Sequence, residues 1–253
     1  MVEQRKPHIA SVMKAFFALS VVAERPESIS AKALAEIMSA PLPTTYHLLH
    51  TLVAAGALAK GGNGNYRLGP RIGMLADAYL EQGDPLERLE APLRALAADT
   101  GESAYLSAWR HGEIEVVAMA EGSHAVRVAN LQRGAFGNGH ARASGKLLLA
   151  YARDGVREQY LKSHPLTKLT PNTITDKDLL RKEFEVIRAR GYAIEKEEFT
   201  LDVSCVAAPI LAGGRVIGAY TVSSPTSRFQ RVSQDLIATL VKSCDNAQDL
   251  FAE

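Results

Sequence analysis

The chain has 253 residues, 47% of them hydrophobic and 23% charged, and a formal net charge of +1. Those values fit a soluble globular protein with room for two domains, and they exclude a disordered tail, a coiled-coil rod and a collagen-like repeat. Charge is unevenly spread: residues 1–80 hold eight Lys/Arg against five Asp/Glu (net +3), and the rest holds 21 against 23 (net −2). That bias permits nucleic-acid binding by the N-terminal part without demanding it. Cys205 and Cys244, the only cysteines, give neither a disulfide framework nor a CxxC pair. No apolar run reaches the roughly 18–20 residues of a membrane span. A cytoplasmic protein with no membrane partner is the expectation.

Arg5, Lys6 and Lys14 precede the apolar run Ala15–Ala23, a pattern shared with secretory signals. Ile9, Val12, Phe16 and Leu19, however, recur at helical spacing, which predicts an amphipathic helix over 8–23 with those residues on its inner face. Ser30 caps a short helix from Ala31 to Met38, with Leu34, Ile37 and Met38 on one side. Ser39–Leu42 is a turn, and Pro43 opens a helix running to about Ala55, ended by Gly56. Two short helices joined by a tight turn form a helix-turn-helix arrangement. On the second helix Thr45, Leu48, Leu49, Leu52 and Val53 share one side, while Pro43, Thr44, His47, His50 and Thr51 share the other. Residues 41–55 contain no Lys, Arg, Asp or Glu, so the outer side offers hydroxyls and imidazoles for base edges and phosphates. Ala57–Lys60 and Tyr66–Leu68 flank a Gly/Asn turn and predict a hairpin wing that carries Lys60 and Arg67. The candidate DNA-binding residues are Lys14, Ser30, Lys32, Thr44, Tyr46, His47, His50, Thr51, Lys60 and Arg67. Pro70 opens a linker helix to about 82, with Ile72, Leu75 and Tyr79 on its apolar side.

Beyond Asp84 the pattern changes to a helix ended by Gly101, then strands over 103–109, 113–120 and 125–129. A helix follows over 143–152, then one over 176–190 opened by a capping box and closed by Gly191. Strands over 192–199, 205–211 and 216–223 and a final helix over 231–251 complete an α+β layout, antiparallel strands covered by helices on one face. Domains of 1–68, 69–83 (linker helix) and 84–253 are expected.

The stretch from Ser30 to Ala59, followed by Tyr66-Arg67-Leu68-Gly69-Pro70, resembles the DNA-binding half of IclR-type bacterial transcriptional regulators. Members usually carry Lys-Ser-Thr and then Arg in the second helix, where this chain has Leu42-Pro43-Thr44 and His47. The C-terminal half resembles the same family at Thr100–Ser103, at His140–Lys146, at Leu169–Thr175, and through Gly191-Tyr192-Ala193, Glu197-Glu198 and Ser204–Pro209. Arg142 stands where Thr or Ser is usual, and Glu195 where many members have Asp.

The resemblance implies a winged helix-turn-helix joined by a linker helix to a GAF-like domain. It also implies a small organic-acid or aromatic effector, a double-stranded DNA operator read as a pseudo-palindrome, and a homodimer or dimer of dimers. No cofactor is implied, and the protein is not expected to be an enzyme. By the same analogy Leu131, Ala141, Arg142, Gly145, Glu195, Cys205, Thr221, Ser223 and Ser227 line the effector pocket. Arg142 either points into that pocket, pairs with Glu195, or faces solvent.

Rival readings are weighed on the same residues. Cys205 with His140 is a conceivable nucleophilic pair, which would make the chain a small-molecule-transforming enzyme with a helical appendage. His47 and His50 lack a third ligand nearby, so no metal site is expected. Gly134–Gly139 lacks the strand–turn–helix context of a phosphate loop.

Overall fold

The computed structural model describes residues 9–23, 25, 28–81, 85–125 and 131–251. The chain forms two compact units, Met1–Asp84 and Pro85–Glu253. Among the described residues no helix is long and apolar enough to cross a membrane.

The first unit contains helices α1 (Ala10–Ala23), α2 (Ala31–Ile37), α3 (Leu42–Ala54) and α4 (Pro70–Glu81), with the hairpin β1 (Leu58–Lys60) and β2 (Tyr66–Leu68) between α3 and α4. Ser30 caps α2 by accepting the Ala33 N–H at 3.2 Å. Ala18, Val21 and Val22 of α1 pack with Leu34, Leu49, Leu52, Leu58 and Tyr66 in one small core. Of the expected stripe on α1, only Leu19 packs against this core. Ile9, Val12 and Phe16 are 70%, 48% and 66% exposed, and Met13 and Phe17 join them at the surface. Two short helices and a hairpin offer too little surface to cover both ends of α1, so its small C-terminal residues take the core and its large ones are left out. On α4 the expected apolar side is also open: Leu75 and Met74 are 61% and 70% exposed, and Ile72 is half-buried. The side chain of Tyr79 lies outside the described residues. α4 falls within the first compact unit.

The second unit opens with a 3-10 turn, Pro85–Leu89, which feeds α5 (Glu90–Thr100). Gly101 ends α5 in the left-handed region at φ 69°. Its five-stranded antiparallel sheet has the order β4 (Glu113–Ala120), β3 (Ser103–Arg110), β7 (Arg215–Pro225), β6 (Val203–Ala212), β5 (Ala193–Lys196). Helices cover both faces, not one. On one side α5 and α9 (Thr226–Gln248) meet Ala104, Leu106, Ala108, Val206, Ala208, Tyr220 and Val222. On the other, α6 (Ala143–Tyr151), α7 (Asp154–Ser163) and α8 (Lys177–Arg190) pack over Ala193, Ala207 and Ala219. Successive strand residues face opposite ways, and both alternating sets are largely buried, so each set needs its own cover.

Other departures are local. β5 is shorter than the expected 192–199 because Glu197 and Asp202 take positive φ and turn the chain. α7 was not expected; its sequence DGVREQYLKS is mostly polar and opens without a side-chain cap. α9 begins at Thr226 and breaks at Val232 (φ −124°, ψ 15°), so the pattern from 231 onward caught only the part after the break. Of the expected strand 125–129, Ala125 sits in a bend and the rest lies outside the described residues.

Candidate effector site and nucleic-acid interface

In the first unit the orientation of α3 decides what can meet DNA. Thr45, Leu49 and Leu52 are buried, and Leu48 and Val53 are half-buried. Pro43, Thr44, Tyr46, His47, His50 and Thr51 are exposed. The Thr51 hydroxyl donates back to the His47 carbonyl at 2.8 Å, and Ser30 is engaged as the cap of α2, so neither side chain is wholly free for an outside partner. Lys14, Lys32, Lys60 and Arg67 are all exposed, and Lys60 lies 5.8 Å from the ring centre of buried Tyr66.

In the second unit a narrow recess lies on the α6 side of the sheet. The strand register builds its floor. Glu195 pairs with Cys205, Cys205 with Ser223, and Ser223 with Ser103, one row across four strands. Two residues along, Thr221 pairs with Tyr105, and Ser107 follows on the same side of β3. Arg142, Ala143 and Ser144 at the start of α6 supply one wall, with Leu131 and Phe199.

Arg142 is 4% exposed. Its Nη2 donates to the Ile114 carbonyl at 2.6 Å, while Nε and Nη1 meet no hydrogen-bond partner. The alternatives in which it faces solvent or pairs with Glu195 therefore give way to a buried guanidinium beside the recess. Burial lowers its pKa, against the opposing influence of Tyr160 and Glu113. Ser107 Oγ and Thr221 Oγ1, also on the lining, are buried without partners.

Glu195 is buried, and burial pushes its carboxyl up to about 7. Its Oε1 accepts the backbone N–H groups of Glu198 and Phe199, the latter at 3.0 Å, and these favour the charged form. The Cys205 thiol lies 3.0 Å from Ser223 Oγ, and burial beside Glu195 drives its pKa well up, so it is no thiolate. His140 Nε2 instead meets the Thr167 carbonyl at 3.0 Å, so no Cys205–His140 pair forms.

Three expected lining residues stand elsewhere. Ala141 is buried in the 3-10 turn Gly139–Ala141, and Ser227 is exposed on the first turn of α9. Gly145 is needed for packing: a Cβ there would lie 2.1 Å from the Gly139 carbonyl oxygen, so only glycine lets α6 start against that turn. Leu131, Arg142, Glu195, Cys205, Thr221 and Ser223 do lie on the recess.

Tyr105, Ser107, Ala143, Ser144 and Phe199 were missed. The alternation of Ser103, Tyr105 and Ser107, matched by Thr221 and Ser223, held the signal for the two on β3. Lys146 also escaped notice. It is 1% exposed, and its Nζ donates to Glu198 Oε1 at 2.5 Å and to the Ile194 carbonyl at 3.1 Å. Among the described residues, no three His, Cys, Asp or Glu gather as a metal-binding group.

Comparison with known proteins gives a consistent answer. Residues 77–250 match the family described as bacterial transcriptional regulator IclR C-terminal, and residues 11–62 match the IclR helix-turn-helix domain. The chain is 32% identical to the HTH-type transcriptional regulator BhcR of Paracoccus denitrificans, over 74% of this chain and 68% of the relative. A crystal structure of an IclR-type regulator from Silicibacter sp. TM1040 aligns with TM-score 0.63 and 28% identity over 96% of each chain. An IclR homologue from Microbacterium hydrocarbonoxydans, solved in complex with 4-hydroxybenzoate, shares the fold at TM-score 0.61 and 23% identity, over 96% of this chain and 99% of that one.

Proposed function

The chain belongs to the IclR family of bacterial transcriptional regulators, and from that premise we propose that it is a sequence-specific DNA-binding regulator whose affinity for its operator is set by a small organic acid bound in the second unit. The observation that carries the effector's chemistry is Arg142, which lines the recess and whose nine-tenths-buried guanidinium keeps two uncommitted nitrogens. A carboxylate accepting from either one gains a charged hydrogen bond, worth about 1.5–3 kcal/mol. Ser107 and Thr221 offer hydroxyls to a second polar group on the same ligand. Glu195 suits this arrangement in its neutral form, which its burial favours.

In the first unit, α3 is presented to the major groove and Lys14, Lys32, Lys60 and Arg67 meet phosphates. A single winged helix-turn-helix reads few base pairs, so a dimer on a pseudo-palindrome is the working form. The exposed apolar residues of α1 and α4 are the surface we assign to the second copy. Regulation is linkage: an effector that prefers one arrangement of the dimer shifts DNA affinity, and DNA shifts effector affinity equally.

A thermal-shift screen of the full chain against small organic acids tests the effector assignment, with 4-hydroxybenzoate, the ligand of the Microbacterium homologue, in the panel. An acid at 100 times its dissociation constant adds roughly 2.7 kcal/mol of stability. Stabilisation by neutral analogues but by no acid overturns it.

A further inference from the structure

We propose that α3 reads an operator half-site built mainly of A·T pairs, through thymine methyl groups rather than guanine edges. This rests on the DNA-binding function proposed above and adds the chemistry of the DNA it selects.

Between Glu36 and Lys60 no residue carries a formal charge, and α3 lies wholly inside that stretch. The commonest specific contact in the major groove is a cationic side chain forking the O6 and N7 acceptors of guanine, and α3 has neither Arg nor Lys to make it. It has no Asp or Glu to accept from cytosine N4 and no Asn or Gln to clasp adenine by two bonds. Its exposed polar groups are His47, His50 and hydroxyls. A neutral imidazole offers one donor and one acceptor. It meets a purine N7, a guanine O6 or a thymine O4 by a single bond, without the two-bond fork that most strongly singles out guanine.

The first turn of α3, the part of a recognition helix that reaches base edges, is unusually apolar. Leu42 is 39% exposed and Tyr46 44%, and the exposed Pro43 and Thr44 add ring carbons and a methyl group. The one base feature in the major groove that rewards such a surface is the C5-methyl of thymine. The surrounding exposed cations, Lys32 on α2 and Lys60 and Arg67 on the wing, grip phosphate without reading sequence. A·T-rich DNA also narrows the minor groove, which strengthens its attraction for flanking cations.

The test is selection of duplexes from a random-sequence library by the full chain, followed by single replacements of thymine with uracil in the selected site. Uracil removes only the C5-methyl. The expected result is half-sites of A·T pairs in which uracil at two or more positions weakens binding about fourfold each, the value of one buried methyl-sized group. Thr44→Arg is expected to bring in a guanine at one selected position, since it restores the missing fork. Half-sites centred on G·C pairs, blocked by N7 methylation of guanine and indifferent to uracil, overturn the proposal while leaving sequence-specific DNA binding intact. Failure to enrich any sequence overturns the DNA-binding function itself.

Discussion

The two units differ most in the charges they bury. The first exposes large apolar side chains, Ile9, Met13, Phe16, Met74 and Leu75, and leaves its described cations exposed. The second buries polar and charged groups: Arg142, Lys146, Glu195, Glu198 and Glu102 are each under 9% exposed. An exposed apolar face is completed by a macromolecule, because only a large partner covers several side chains together. A buried guanidinium with free nitrogens is completed by something small enough to enter. The contrast supports the proposed division, with a second copy and DNA at the first unit and a small acid at the second.

The sharpest break of this contrast is at the buried charges. Lys146 holds Glu198 at 2.5 Å with both groups out of solvent. Lys146→Ala leaves that carboxylate buried alone and should destabilise the second unit by about 3–5 kcal/mol, read by chemical denaturation. A loss below about 1 kcal/mol would mean that the pair is as solvated as a surface one.

Glu195 comes next, and its effect depends on pH. Its folded pKa of about 7 lies above its ordinary value of 4.5, so the folded chain binds the proton more tightly than the unfolded one. The stability cost of ionising it is absent below about pH 4.5, grows as pH rises toward 7, and is constant above. A shift of that size corresponds to about 3 kcal/mol. Glu195→Gln should therefore be the more stable form at pH 8 and lose that advantage toward pH 4.5. A gap that widens as pH falls would contradict the assignment.

At the recess, Arg142→Met should lower affinity for an acid found by the screen tenfold or more, measured by calorimetry. Affinity within twofold of the native chain would remove Arg142 from the effector site. In the first unit the effects are smaller and differ in kind. Lys14→Ala should weaken binding to all duplexes alike and reduce the salt slope by about 0.9 per monomer. His47→Ala should instead relax base preference at nearly constant slope, and the reverse pattern would exchange their roles.

Much of the fold was legible because its boundaries rest on local chemistry. Ser30 caps as its position foretold, Asp176 caps α8 one residue later than the expected capping box, Gly101 and Gly191 end helices in the left-handed region, and the hairpins fall where the glycines are. What periodicity cannot say is which surface covers an apolar stripe. Ile9, Val12 and Phe16 follow helical spacing faithfully, yet their own unit leaves them uncovered.

The candidate recess was legible in part for a similar reason. Thr221 and Ser223 announce one hydroxyl-bearing strand face, but Tyr105 and Ser107 join them only through the β3–β7 pairing, a contact 116 residues apart at Tyr105–Thr221. Gly145 and Ala141 looked like room for a ligand, but Gly145 is close packing of backbone on backbone and Ala141 is buried in the turn before α6. Small residues alone do not distinguish the two.

The division of labour is tested most directly by comparing DNA affinities of the full chain and of a piece spanning 85–253, which forms a compact unit of its own. Fluorescence anisotropy with a selected duplex and a random-sequence duplex, at one salt concentration, gives both affinity and preference. The account predicts that the full chain favours the selected duplex by at least 10³-fold, and that the 85–253 piece binds the two duplexes equally and weakly. A piece lacking α3 that binds the selected duplex as tightly as the full chain would contradict it.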